Sequence, residues 1–75
     1  MPNVIDFYDV SKKINNGYTT LQCVCQGEYV GYIGWNNEMG EYAFFPYNKI
    51  TSFNGDILFH IYDRIYYLMK GRILS

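Results

Sequence analysis

Few residues in this chain of 75 have the type and spacing to do chemistry. His60 has Asp56 four positions before it and Arg64 four after. A helix would bring all three to one flank, where Asp56 could orient His60 as a general base. The sequence places no Ser or Cys nucleophile beside them, and a solvated row of charges accounts for the same residues. Cys23 and Cys25 stand two apart, so a strand points both to one face, where they cannot easily bridge each other. A structural zinc needs four ligands, and His60 is the one further soft donor. Both are therefore expected to be reduced and metal-free. Gly27, Gly31 and Gly34 lie within a turn and a strand and do not precede a helix, so they form no phosphate loop. Gly31 and Gly34 are expected to permit a bulge, or to let large rings cross the sheet. No catalytic residue, metal or cofactor is expected, and the chain reads as a non-enzyme.

Aromatic residues offer a different kind of chemistry. Nine Tyr, five Phe and one Trp make up 20% of the chain. A domain this short has one small core, which cannot hide fifteen rings. Several must reach the surface, and Tyr and Trp are enriched at interfaces. AT-rich coding, which favours Tyr, Phe, Ile, Asn and Lys, would produce the same bias without any binding role.

The charge balance excludes some partners. Six basic residues are scattered among seven acids, for a net charge of −1. Phosphate-backbone binding needs a basic patch or stripe, so nucleic acid is not the expected partner. Apolar residues are 49% of the chain, but no run approaches a membrane span. Residues 1–10 carry Asp6 and Asp9 and no basic residue, unlike a signal peptide. Cytoplasmic residence follows as the expectation.

These residues need elements to position them. Within 6–16, Phe7, Val10 and Ile14 recur at helical spacing, and Asn16-Gly17 offers a left-handed stop, so a first helix is expected there. A strand over 4–10 is the alternative. Strands are expected over 18–25, 28–35 and 41–47, with turns at Gln26-Gly27 and over 36–40. Tyr29, Ile33 and Trp35 should share one face of the second of these, and Val30 and Tyr32 the other. Tyr42 and Phe44 should oppose Ala43, Phe45 and Tyr47 on the third. Asn54 then caps a final helix, with Phe53 and Leu58 at the positions of a hydrophobic staple, Asp56 in the first turn and Gly71 as the stop. Ile57, Leu58, Ile61, Ile65, Leu68 and Met69 form its apolar stripe. The expected architecture is one α+β domain over 1–75: α-β-β-β-α, with a three-stranded antiparallel sheet packed against the C-terminal amphipathic helix.

Gly31-Tyr32-Ile33-Gly34-Trp35, a polar turn, Tyr42-Ala43-Phe44-Phe45-Pro46 and a capped amphipathic helix resemble a pattern in small uncharacterised proteins of phages and mobile elements. The resemblance covers residues 18–70. It implies a β-meander with a helix, and an accessory protein acting on a host factor such as a defence system. It carries over no catalytic residue.

On the final helix, Phe59 and Tyr66 fall opposite Ile57, Ile61 and Leu68, with Tyr62 between the faces. Such a ridge suggests contact with a partner protein or a second copy of the chain. With Trp35 and Tyr47 on the sheet, these residues are the expected partner-binding set. The functional expectation is a non-catalytic protein-binding module, a phage-type inhibitor that occludes a host protein. The alternative is a homo-oligomeric sponge holding a nucleotide-like ligand between aromatic faces.

Overall fold

The computed structural model describes residues 5–47 and 53–74. Its elements are β1 (Asp6–Asp9), one helical turn α1 (Ser11–Ile14), β2 (Leu21–Cys25), β3 (Glu28–Asn36), β4 (Glu41–Pro46) and α2 (Gly55–Leu74). The four strands form one antiparallel meander in the order β1-β2-β3-β4. The α+β class and the C-terminal helix match expectation; the sheet has four strands where three were expected.

The fourth strand comes from the segment expected to be the first helix. Asp9 interrupts it, because its Oδ1 accepts the Ser11 N–H at 2.8 Å in place of a helical carbonyl. Residues 6–9 instead pair with β2, from Asp6 opposite Val24 to Asp9 opposite Leu21. The remaining helical turn is closed by Asn15, left-handed at φ 53°, which donates to the Ser11 carbonyl at 2.8 Å. The stop thus comes before Asn16-Gly17. Ser11 Oγ accepts the Thr20 N–H at 2.9 Å and ties α1 to the approach of β2.

The turns follow their residues. Gln26 and Gly27, with φ of 51° and 82°, join β2 to β3 in two residues, a geometry that matches strand twist. At the next turn Asn36 Oδ1 accepts the Met39 N–H at 3.0 Å, and Gly40 donates to the Asn36 carbonyl at 2.8 Å.

A bulge decides which side chains are inside. Cys23 pairs with Gly31 but Val24 with Tyr29, so Val30 has no opposite residue. The extra residue reverses the alternation. Val30 enters the core with Ile33, and Tyr29 turns to the other face beside Tyr47, the reverse of the expected assignment. The expected faces of β4 hold, with Tyr42 in the core and Phe45 stacked on Tyr32 outside.

The core lies between α2 and one face of the sheet. It contains Ile5, Leu21, Cys23, Val30, Ile33, Tyr42 and Ile61. Ile57, Ile65, Leu68 and Met69 pack against it from the helix, as the apolar stripe requires. Leu58 does not belong to that stripe and is half exposed. Asn54 caps α2 through Oδ1, which accepts the Ile57 N–H at 2.9 Å. Phe53, expected in a staple with Leu58, packs edge-on against Phe44 at 5.5 Å. Gly71 does not end α2, which runs on to Leu74 with no left-handed residue at that point.

Candidate functional site

The outward side of α2 carries the aromatic ridge. Phe59, Tyr62, Tyr66 and Tyr67 are each more than half exposed. Tyr62, expected between the two helix faces, stands on the flank that borders β4. Its ring lies 6.4 Å from that of Tyr66. The two tyrosines, with Met39, Ala43, Ile65 and Met69, line a largely apolar groove of about 410 Å³. Successive positions 62 and 66 are one turn apart, so the rings sit one above the other along the helix.

On the opposite flank, Arg64 departs from the solvated row expected of Asp56, His60 and Arg64. Its guanidinium lies 4.8 Å from the ring centre of Phe7 on β1 and 5.9 Å from that of Tyr67, the geometry of cation–π contact. His60 is exposed, its ring 5.6 Å from that of Phe59. His60 and Arg64 face an open cleft of about 600 Å³ whose other wall is Ile5, Asp6, Phe7, Tyr8 and Asp9.

The sheet face away from α2 is a second aromatic surface. Tyr32 and Phe45 stack at 4.8 Å across β3 and β4, over the space left by Gly34. Tyr29 meets Tyr47 edge-on at 5.4 Å. Tyr8, Tyr32 and Tyr47 are exposed on it. Among the described residues, α1 covers one corner of this face. There Val10, Lys13, Ile14 and Asn16 border a groove of about 400 Å³ with Gln22, Tyr29 and Tyr32.

The expected set is thus divided. Phe59, Tyr62 and Tyr66 stand together on α2. Tyr47 lies on the far side of the two-layer domain. Trp35 is not among the exposed rings: it pairs with Tyr42 on the helix-covered face, stacks on Tyr18 at 4.6 Å, is half-buried against the core, and borders the groove under α1. Residue-type reading missed Tyr67 on the helix and Tyr8, Tyr29, Tyr32 and Phe45 on the sheet. Gly34, expected to let large rings cross the sheet, does so beneath the Tyr32–Phe45 stack.

The thiols lie on the covered face. Cys23 is fully buried and Cys25 half-buried, and both are free. Burial, reinforced by neighbouring Cys25, pushes the Cys23 thiol up to about 12. Burial also raises Cys25, with Asp6 and Glu28 adding to the effect. A thiol held neutral is a poor nucleophile and a poor ligand. Among the described residues no three His, Cys, Asp or Glu side chains cluster as metal ligands would. No helix of the described residues is long and apolar enough to cross a membrane. No protein-family model, curated protein or solved structure matches this chain.

Proposed function

We propose that this chain is a non-catalytic protein-binding module that uses the outward ridge of α2. One observation carries the reading: Phe59, Tyr62 and Tyr66 stand exposed on a helix whose other side already packs the core through Ile61. Among the described residues, the core does not use any of these three rings. Such rings are frequent binding hot spots and lose little rotamer freedom on contact. Burial raises both thiols and makes them poor nucleophiles, which favours a binding role over a catalytic one. The narrower reading, a phage-type inhibitor that occludes a host defence protein, rests on the resemblance over residues 18–70.

Replacing Phe59 and Tyr66 together with Ser tests the module. Circular dichroism should show the fold retained, while capture of partner protein from host lysate is lost. A folded double variant that still captures the same partner would move the contact surface off α2.

The alternative, a small-ligand sponge, is favoured by one feature, the groove under α1. Tyr29 and Tyr32 present rings there beside Lys13, Asn16 and Gln22, a set suited to stacking a base with a cation nearby. Melting with and without nucleotides separates the two readings, because a ligand that binds the native state raises the melting temperature.

A further inference from the structure

The two edges of the sheet are treated differently. On β4, Tyr47 donates to the Val30 carbonyl, so positions 41, 43, 45 and 47 bond inward and 42, 44 and 46 turn outward. Two of those three outward positions are guarded. The Tyr42 N–H meets Met69 Sδ at 3.4 Å, and position 46 is proline, which has no N–H to offer. These are standard protections of an exposed edge. On β1, Val10 donates to the Thr20 carbonyl at 2.9 Å, so Tyr8 and Asp6 bond inward and Phe7 and Asp9 turn outward. No backbone partner meets Phe7 or Asp9 on that side among the described residues. The open cleft of Arg64 and His60 runs along the same edge.

We infer that this edge is a self-association site: β1 pairs antiparallel with β1 of a second copy about a twofold axis at Tyr8, giving a continuous eight-stranded sheet. Charge complementarity selects both the occupant and the register. With the axis at Tyr8, Phe7 lies opposite Asp9 of the second copy. Each Asp9 carboxylate, one oxygen of which still accepts the Ser11 N–H, then faces the other copy's cleft, where Arg64 already covers Phe7. The symmetry makes the pair twice. With the axis at Asp9, two carboxylates would face each other; with the axis at Phe7, two guanidinium-covered rings would. Both place like charges together, which disfavours them. The Tyr8 register also sets two exposed tyrosines side by side on the outer face. The Tyr62–Tyr66 flank borders the other edge and stays clear of the junction, so the dimer would present two α2 ridges. This inference does not depend on the partner proposed above.

Sedimentation and charge exchange test it. The wild-type chain should be dimeric at about 100 µM. Asp9→Arg and Arg64→Asp should each weaken dimerisation roughly a hundredfold, in line with measured coupling of close interfacial charges. An equimolar mixture of the two should restore a heterodimer, because both cross-pairs are then of opposite sign. A folding defect would not be rescued by mixing. Independently, Tyr8→Cys in a Cys25→Ser background should cross-link to a covalent dimer under mild oxidation, since opposed non-hydrogen-bonded residues have Cα atoms about 4.5 Å apart. Tyr66→Cys in the same background should not. A monomeric wild type, single variants that dimerise normally, or cross-linking at position 66 in preference to position 8 would each overturn the inference.

Discussion

Gly31 holds a φ of +149°, a backbone region L-residues rarely adopt, and it is crowded as well. A Cβ there would stand 2.5 Å from the Phe45 carbonyl oxygen and 2.7 Å from Phe44 Cζ. Gly31→Ala should therefore destabilise by about 2–5 kcal/mol, combining backbone strain with overpacking. Gly71, helical and with open space where its Cβ would be, should behave oppositely. Gly71→Ala should stabilise by about 0.5–1 kcal/mol through helix propensity. Urea unfolding of the two variants checks both signs. Cys23 gives a pH prediction. Its thiol rises from 9.0 to about 12 on folding, so the unfolded chain loses that proton first. The stability tied to the neutral thiol is complete below pH 9 and is lost as pH climbs toward 12. The melting temperature of wild type should fall more steeply over that window than that of Cys23→Ala. Thiol titration of the native protein should modify Cys25 before Cys23.

At the scale of elements, α2 and the meander depend on each other. A hairpin meander of short strands is marginal until one face is covered. Here α2 provides that cover, with Ile61 its one fully core residue among the described residues. Ile61→Ala should destabilise by about 2–5 kcal/mol, the range for a buried aliphatic truncation. Leu58→Ala should lose much less, because Leu58 is half exposed. Asn54→Ala removes the Oδ1 acceptor of the Ile57 N–H and should lose about 1 kcal/mol. Comparable losses for Ile61→Ala and Leu58→Ala in chemical denaturation would mean that α2 is rotated relative to the sheet. The four-residue β1 has less to hold it: one flanking strand, the Asp9–Ser11 turn and the guanidinium of Arg64 over Phe7.

For the whole molecule, a two-layer domain with one continuous core should unfold in a single step. Trp35 reports on that core from its stack with Tyr18 and edge contact with Tyr42. Its fluorescence and the far-ultraviolet circular dichroism should therefore trace one coincident transition in urea. Separate midpoints would show that β1 or α2 detaches before the hairpins melt. The aromatic surfaces lie on opposite sides of the layers, one on α2 and one on the open sheet face, so a binding partner on one leaves the other accessible. Pairing at β1 would make the melting temperature rise with protein concentration, since association stabilises the native state by mass action.

What the sequence determined by itself was local. Gln26-Gly27 and 36–40 specify their turns through left-handed geometry and an Asn side chain, and those turns dictate the hairpins on either side. Asn54 and the Ile57-Ile61-Ile65-Leu68 stripe determine the start and buried side of α2, and hence the outward Phe59 and Tyr66, while Tyr62 lies between the faces by spacing. Tertiary structure decided the rest, because the deciding forces act between segments distant in sequence. Residues 6–16 allow either a helix or a strand over 4–10, and pairing with β2, distant in sequence, decides for the strand. Gly31 and Gly34 allow a bulge, but where it falls depends on the register of β2 against β3, and it exchanges the faces of Tyr29 and Val30. Trp35 looks like a surface anchor by residue type; its pairing with Tyr42 turns it inward. Arg64 belongs to a charge row along its helix until β1 brings Phe7 beneath it.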